Sequence, residues 1–346
     1  MTNKIDVNEM KLTPKDFKSD QDIRWCPGCG DYSIISQVQK VFPTLGIPKE
    51  RFVWVSGIGC SSRFPYYMDT YGFHSIHGRA PAIATGLKIA HPELSVWIAT
   101  GDGDLMSIGG NHFIHACRKN VDMKMLLFNN EIYGLTKGQY SPTSERGKIT
   151  KSSPYGSIDY PFNPTSLALG SNATFVARAM DRDPKHLQKM IERAGEHKGM
   201  AFLEIYQNCV IFNDKAFDAL TDKSRKADTT IYLEHNKPMI FGKDNDKGII
   251  LDGFEPKVVS LKDGKYSEED IIVHDELDES PVRAFILSHM TDDPNLPTPF
   301  GVFRQVLKET YNEALENQIT EVTNKLGKGD LESLLFAGNT WEVNGQ

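Results

Sequence analysis

Short apolar runs alternate with longer amphipathic stretches between residues 25 and 214. The short runs are apolar along most of their length, which is typical of strands that are buried on both faces of a sheet. The longer stretches repeat apolar residues at helical spacing. This alternation predicts an α/β fold, a parallel sheet with helices on both faces. The predicted strands are 52–56, 94–100, 123–128, 174–177 and 200–206, and the predicted helices are 81–91, 108–119 and 184–197.

Three regions of the chain differ in character. Residues 1–24 are polar and predict a surface arm, residues 25–214 predict the α/β domain, and residues 215–346 form a polar extension rich in Lys and Asp. We expect the extension to pack on the main domain or on a partner; the alternative is that it forms a separate catalytic domain. Its apolar residues recur at helical spacing and predict one long helix near 301–326, through Val302, Phe303, Val306, Leu307, Tyr311, Leu315, Ile319, Val322 and Leu326.

Charge and cysteine usage narrow the classes of function. The 39 basic and 46 acidic residues give a net charge of −7, which argues against an extended nucleic-acid surface. The sequence contains no apolar run long enough to span a membrane, and its first residues lack the apolar core of a signal peptide. We therefore expect a cytoplasmic protein with no nucleic-acid or membrane partner. In that compartment the five cysteines are expected to be thiols or metal ligands.

Polar residues follow two of the predicted strands. Gly101-Asp-Gly-Asp104 ends the strand at 94–100, and Asn129-Asn130 ends the strand at 123–128. Carboxyl ends of parallel strands meet at one edge of a sheet, so Asp102 and Asn130 are expected to lie side by side. Carboxylate and amide oxygens suit Mg²⁺, whose coordination is completed by phosphate oxygens and water. The alternative is a pair of turns that happen to be rich in Asp and Asn.

Four of the five cysteines are expected at the same edge. Cys26 and Cys29 form a Cys-Pro-Gly-Cys clip, while Cys60 and Cys209 follow predicted strands. Four converging thiolates bind Zn²⁺ or an iron–sulfur cluster, although one close pair with two remote cysteines is less typical of zinc. A redox-active Cys-x-x-Cys pair is the alternative. Cys117 lies in a predicted helix and is expected to be a buried, inert thiol.

The Gly-Asp-Gly and Asn-Asn pair resembles the thiamine diphosphate motif. That resemblance implies that Asp102, Asn130 and the carbonyl of Ile132 bind Mg²⁺. It also implies that Gly103, Asp104, Gly134 and Leu135 line the diphosphate.

Together with the cysteines, this motif resembles the β subunit of the 2-oxoacid:ferredoxin oxidoreductases, nearest to the 2-oxoglutarate members. The likeness covers residues 25–214 and is carried by Trp25-Cys-Pro-Gly-Cys-Gly30, Ser56-Gly-Ile-Gly-Cys-Ser61, His77-Gly-Arg-Ala80, Gly101-Asp-Gly-Asp104, Gly134-Leu-Thr-Lys-Gly-Gln139 and Cys209.

The family resemblance implies both cofactors and a reaction. Cys26, Cys29, Cys60 and Cys209 would bind a [4Fe–4S] cluster, and the loop Ile58, Gly59, Cys60 and Ser61 would lie with His77 near thiamine diphosphate. The reaction implied is oxidative decarboxylation of a 2-oxoacid, with two one-electron transfers through the cluster to ferredoxin and transfer of the acyl group to coenzyme A. For 2-oxoglutarate the product is succinyl-CoA; pyruvate or another 2-oxoacid is the alternative substrate.

Two cations and one histidine have candidate roles beside the cofactor. Arg63 could bind a substrate carboxylate in bidentate fashion, or be an ordinary surface arginine. Lys137 could be a cation on the substrate side or a solvated lysine. His77 could contact the cofactor or cap a turn.

Two alternative hypotheses are that the chain is a non-catalytic iron–sulfur subunit or that it is a complete thiamine-dependent decarboxylase. The first would not need Asp102 and Asn130. The second needs another α/β domain with a glutamate that activates the aminopyrimidine, and the extension is too polar and too poor in strands to supply it. We therefore expect an α subunit to carry that domain, and this chain to be inactive alone.

Overall fold

The computed structural model describes residues 12–345, and eleven strands and twelve α-helices are assigned within them. The strands are β1 Phe52–Ser56, β2 Tyr71–His74, β3 Ser95–Gly101, β4 Lys124–Asn129, β5 Phe175–Met180, β6 Ala201–Tyr206, β7 Thr230–Leu233, β8 Ile240–Phe241, β9 Lys247–Asp252, β10 Glu255–Ser260 and β11 Thr298–Gln305. The helices are α1 Asp31–Val41, α2 Phe64–Tyr67, α3 Ala80–Ala90, α4 Asp102–Leu105, α5 Gly110–Lys119, α6 Pro164–Gly170, α7 Pro184–Glu196, α8 Asp218–Thr221, α9 Lys226–Thr229, α10 Val282–Ser288, α11 Tyr311–Leu326 and α12 Leu331–Leu335.

Eight strands form one sheet in the order β2-β1-β3-β4-β6-β5-β11-β7. The first six strands in that order run parallel to one another, while β11 is antiparallel to β5 and parallel to β7. Strands β1, β4, β5 and β6 are buried along their whole length, as their largely apolar sequences predict. The α/β fold class is confirmed.

Helices cover both faces of this sheet. On one face α1 and α7 pack against each other over Trp54 and Trp97, and on the other α3 and α5 pack over Val55 and Ile98. Adjacent residues of the central strands therefore point into different cores, which is why both faces of these strands are mainly apolar. The predicted helix 108–119 is shorter than expected, because the chain after β3 first forms the single turn α4 and α5 begins only at Gly110.

The predicted helix near 301–326 is wrong in its first third. Val302 and Phe303 lie in β11, which is buried on both faces, and α11 begins at Tyr311 behind a capping box formed by Thr310 and Glu313. A strand that is buried on both faces does not alternate between apolar and polar residues. The apolar residues of β11 therefore resemble the start of the helical repeat that follows.

The extension contributes directly to the main sheet. Its strands β7 and β11 form one end of the eight-stranded sheet, and β10, β9 and β8 form a separate antiparallel sheet. Within the part of the predicted arm that the structure describes, Phe17 is fully buried against Phe42 and Phe52; residues 1–11 of the arm lie outside the described residues. Among residues 12–345, no helix combines the length and the apolar character that crossing a membrane requires.

Candidate active site

The carboxyl ends of β1, β3 and β4 surround one cavity. Twelve of the predicted cofactor and metal residues line it, together with five residues that were not predicted. The lining consists of Asp31, Ile58, Gly59, Cys60, Ser61, His77, Gly101, Asp102, Gly103, Asp104, Phe128, Asn130, Ile132, Tyr133, Gly134, Leu135 and Thr136. The expectation that these loops meet at one edge of the sheet is therefore met.

Asp102 lies at the floor of this cavity, at the first position after β3. Its carboxylate is buried, and Oδ2 accepts a hydrogen bond from the Thr143 hydroxyl at 2.8 Å. Burial raises the pKa of Asp102, while the hydroxyls of Ser141 and Thr143 and the backbone N–H of Asn130 partly oppose that rise. A buried carboxylate of this kind gains most from a cation, because a nearby positive charge offsets the cost of its desolvation.

Asn130 and Ile132 approach Asp102 from the end of β4. The Asn130 side chain accepts from the Ile132 N–H (3.2 Å) and donates to Gln207 Oε1 (2.8 Å). Between them Glu131 adopts a φ of 54°, the left-handed conformation that allows the chain to turn sharply here. The turn brings the amide of Asn130 and the backbone of Ile132 to the same cavity as Asp102.

The Tyr133 ring packs so closely against Gly103 that no side chain fits at that position. A Cβ at position 103 would lie 2.2 Å from Cε1 of that ring, whose hydroxyl donates to the Gly103 carbonyl at 2.8 Å. Gly59 lies across the cavity with a φ of 139°, which favours glycine. The two glycines leave backbone rather than side chains exposed to a ligand.

Asp104 also lines the cavity, but its carboxylate is already fully engaged. Oδ1 accepts from the backbone N–H groups of Ile58 (3.1 Å) and Gly78 (2.9 Å) and contacts His77 Nδ1 (2.7 Å). Oδ2 accepts from the Thr100 hydroxyl at 2.9 Å. Asp104 therefore ties three chain segments together at the edge of the sheet, a role that the motif alone did not indicate.

The four predicted cluster cysteines approach one another beside the cavity. A Cβ on Gly134 would lie 3.6 Å from Sγ of both Cys60 and Cys209, so both sulfurs lie beside this residue of the cavity lining. The N–H of Cys29 donates to the Cys26 carbonyl at 3.0 Å, which closes the Cys-Pro-Gly-Cys turn. Burial raises the pKa of the Cys29 thiol and raises that of Cys60 to about 12. Cys117 is instead buried in α5, as expected.

The candidate substrate residues are placed differently from one another. Arg63 lines a second cavity, which shares Ile58, Gly59 and Leu135 with the first. His77 lines the first cavity, where its ring nitrogen contacts Asp104. Lys137 is exposed, has a φ of 77°, and is not among the residues that line either cavity in the described part of the chain.

Sequence reasoning missed several residues of this site. Asp31 lines the cavity with both carboxylate oxygens buried and without a hydrogen-bond partner among the described residues, and burial raises its pKa to about 7. Tyr133 and Thr136 line the cavity as well, and Thr143 lies behind Asp102. Asp31 follows the Cys26–Cys29 clip closely, which is the one signal that could have drawn attention to it; Thr143 lies in a long polar loop with no motif.

Comparison with known proteins agrees with this geometry. Residues 54–205 match a family model described as "Thiamine pyrophosphate enzyme, C-terminal TPP binding domain". The "2-oxoglutarate oxidoreductase subunit KorB" of Mycobacterium tuberculosis is 52% identical over 332 residues, which are 95% of this chain and 88% of that protein. The "2-oxoacid:ferredoxin oxidoreductase 1, subunit beta" of Aeropyrum pernix is 47% identical over 190 residues, 55% of this chain and 60% of that one.

A solved structure extends the similarity to the whole fold. The 2-oxoglutarate:ferredoxin oxidoreductase from Magnetococcus marinus, determined with 2-oxoglutarate, coenzyme A and succinyl-CoA bound, superposes with a TM-score of 0.74 at 34% identity. The match covers 95% of this chain and 97% of that one, and so includes the extension. Identity of this extent over nearly the full length shows that the chain belongs to the β subunits of the 2-oxoacid:ferredoxin oxidoreductases.

Proposed function

We propose that this chain is the β subunit of a thiamine diphosphate-dependent 2-oxoglutarate:ferredoxin oxidoreductase, which forms succinyl-CoA and CO₂ and passes electrons through a [4Fe–4S] cluster. The observation that carries the proposal is the single cavity lined by Asp102, Asn130 and Gly103 on one side and by Cys60 on another. The names of the Mycobacterium tuberculosis and Magnetococcus marinus relatives favour 2-oxoglutarate as the substrate.

The cavity residues fit thiamine diphosphate and Mg²⁺. Asp102, Asn130 and the Ile132 carbonyl supply only oxygen ligands, which a hard cation prefers. Ser61 lines the cavity with a buried hydroxyl that has no partner among the described residues, and so can donate to a ligand. Gly103 presents only its backbone to the cavity, and any other residue there would clash with the Tyr133 ring.

The cysteines fit a cluster better than a single ion. Within residues 12–345, no three His, Cys, Asp or Glu side chains are close enough to hold one metal ion. A [4Fe–4S] cluster instead takes one thiolate at each of four iron atoms, so its cysteines stand farther apart. Burial disfavours free thiolates at Cys29 and Cys60, and binding to iron would supply the compensating positive charge.

When bound, thiamine diphosphate supplies the electron sink for decarboxylation of a 2-oxoacid. The residues of this chain would hold the cofactor and the loops around it in position. Asp102 and Asn130 would hold the diphosphate through Mg²⁺, and Asp104 would hold the loops of Ile58 and His77 around the cofactor. Arg63, in the adjoining cavity, would bind a substrate carboxylate, and Cys60 would bring the cluster to the edge of the cofactor cavity.

A partner subunit would complete the site. Residues 12–345 contain one large, mostly parallel sheet. The extension adds β7 and β11 to that sheet and otherwise builds only the small antiparallel sheet of β8, β9 and β10. The aminopyrimidine side and its activating glutamate would therefore come from an α subunit, with coenzyme A and ferredoxin as further partners.

Separate variants test the two cofactor assignments. Asp102→Ala should abolish thiamine diphosphate binding and leave the iron content unchanged, because it removes only the Mg²⁺ ligand. Serine at Cys26, Cys29, Cys60 or Cys209 should lower iron content and bleach the broad absorption near ~400 nm of Fe–S charge transfer. Cys117→Ser is the matched control and should change neither.

The anaerobically purified complex and the isolated chain should then be compared in 2-oxoglutarate-dependent reduction of a viologen. Turnover is expected only with the α subunit present. One zinc per chain without iron would disprove the cluster, cofactor binding by Asp102→Ala would disprove the Mg²⁺ site, and full turnover by the isolated chain would disprove the shared site.

A further inference from the structure

A chain of buried polar side chains lies behind Asp102, outside the cofactor cavity. We propose that Thr143 is a positioning residue that acts through Asp102: its hydroxyl fixes the orientation of the carboxylate and thereby sets the affinity of the site for Mg²⁺. The inference rests on the proposed function, since it concerns the cation that Asp102 would bind. Thr143 is not among the described residues that line the cavity.

The Thr143 hydroxyl lies between two acceptors. Its Oγ1 is 2.8 Å from Asp102 Oδ2 and 2.9 Å from Asn129 Oδ1. All three side chains are at least 95% buried, so no water competes for the single hydroxyl hydrogen. A charged carboxylate is the stronger acceptor, so the hydrogen goes to Asp102 and restrains its carboxylate. Asn129 Oδ1 is the weaker, competing acceptor, and it also accepts from the Glu131 N–H at 3.3 Å.

Glu204 fixes which way the Asn129 amide faces. Its Oε1 accepts from Asn129 Nδ2 at 2.8 Å, and its Oε2 accepts from Arg178 Nε at 2.8 Å and from Thr165 Oγ1 at 2.7 Å. A carboxylate paired with arginine only accepts, so the amide nitrogen faces Glu204 and the amide oxygen must face Thr143. The fully buried Arg178–Glu204 ion pair thus fixes Asn129 as an acceptor on the Thr143 side. Thr143 therefore faces two acceptors, and its hydroxyl must be the donor to Asp102.

The loop that carries Thr143 is tied to the other predicted metal ligands. The next residue, Ser144, donates to the Glu131 carbonyl at 2.5 Å and accepts from the Ser141 N–H at 2.8 Å. Glu131 lies between Asn130 and Ile132. The segment 141–144 therefore contacts Asp102 through the Thr143 hydroxyl and the Asn130–Ile132 turn through the Glu131 carbonyl. In this way it sets the distance between the two halves of the cation site.

Groups that orient metal ligands typically change metal affinity by about 10- to 100-fold when they are lost. Thr143→Val keeps the shape of the side chain and removes the hydroxyl, and Thr143→Ser keeps the hydroxyl. Thr174→Val is the matched control, because Thr174 is a buried threonine at the opposite edge of the sheet whose hydroxyl bonds to Asn120 Oδ1 and His197 Nε2.

The experiment titrates MgCl₂ into the full chain, co-purified with its partner subunit, at saturating thiamine diphosphate, and follows binding by calorimetry. Thr143→Val should weaken the apparent Mg²⁺ affinity by about 10- to 100-fold. Thr143→Ser and Thr174→Val should bind Mg²⁺ like the wild type, and thermal melting of each metal-free variant should be recorded beside the titrations.

Three results would overturn the role of Thr143. They are wild-type Mg²⁺ affinity in Thr143→Val, an equal loss of Mg²⁺ affinity in Thr143→Val and Thr174→Val, or an equal loss of Mg²⁺ affinity in Thr143→Ser and Thr143→Val. If the Thr143→Val variant does not fold, the Thr143→Ala variant is tested by the same criteria. If neither variant folds while Thr174→Val does, the role of Thr143 in Mg²⁺ affinity is overturned and Thr143 is needed for folding instead. A wild type that binds no thiamine diphosphate would overturn the proposed function itself, and that is seen before any variant is compared.

Discussion

Asp102 and Asp104 are two residues apart in one motif, and the structure separates their roles. Asp104 has both carboxylate oxygens occupied by Ile58, Gly78, His77 and Thr100, whereas Asp102 is buried beside the candidate cation site. We predict that Asp104→Asn lowers the stability of the fold and leaves affinity for thiamine diphosphate and Mg²⁺ largely intact.

The magnitude follows from the hydrogen bonds that change. An asparagine can keep its oxygen toward the three donors at Oδ1 and turn its NH₂ toward the Thr100 hydroxyl, so the geometry is preserved and only the charge is lost. A hydrogen bond to a charged acceptor contributes about 1 kcal/mol more than one to a neutral acceptor. Two of the three donors are backbone N–H groups and the third belongs to the half-exposed His77, so the expected loss is about 2–3 kcal/mol.

Denaturant unfolding of the metal-free chain measures this loss, and calorimetry with thiamine diphosphate and Mg²⁺ measures binding. Asp102→Asn is the matched control and should show the reverse: no loss of unfolding free energy, because burial already disfavours its charge, but a loss of cofactor binding. Loss of binding in Asp104→Asn without loss of stability would refute the reasoning and make Asp104 a ligand.

Three further predictions concern other parts of the chain. Arg63→Ala should lower kcat/KM for 2-oxoglutarate by about 30- to 1000-fold, and an unchanged value would make Arg63 an ordinary surface arginine. Gly103→Ala should abolish cofactor binding because its Cβ would displace the Tyr133 ring, whereas Gly86→Ala, which meets open space within α3, should bind normally in the same titration. Burial would raise the pKa of Asp122, but the ammonium groups of Lys124 and Lys88 outweigh it and lower that pKa to about 2, below the ordinary value of 3.8. Its stabilisation, about 2 kcal/mol, is therefore fully present above about pH 4 and is lost as the pH falls toward 2. The difference in unfolding free energy between wild type and Asp122→Asn should stay constant from about pH 6 to pH 4 and shrink between about pH 4 and pH 2; a constant difference over that lower range would contradict it.

Local patterns were sufficient for five of the eight strands of the main sheet, β1, β3, β4, β5 and β6, and for the edge that carries the chemistry. Largely apolar runs such as 123–128 form strands because they are buried between two layers of helices. Parallel strands also place their carboxyl ends at the same edge of the sheet. That geometry alone brings Asp102 and Asn130 to one cavity, although they are 28 residues apart in sequence. The thiamine and cysteine motifs could be recognised because their residues stand at fixed offsets from strand ends.

What the sequence could not determine depends on contacts between distant segments. Residues 298–305 became a strand rather than the start of a helix because β5 and β7 offered hydrogen-bonding edges on either side, which no local period reveals. The separate roles of Asp102 and Asp104 depend on donors from other loops. The place of Thr143 depends on its hydrogen bond to the Asp102 carboxylate, which must be satisfied once it is buried. The sequence by itself thus determined which loops carry the chemistry, and only the tertiary structure decided which side chains face the cofactor cavity and which hold them in position.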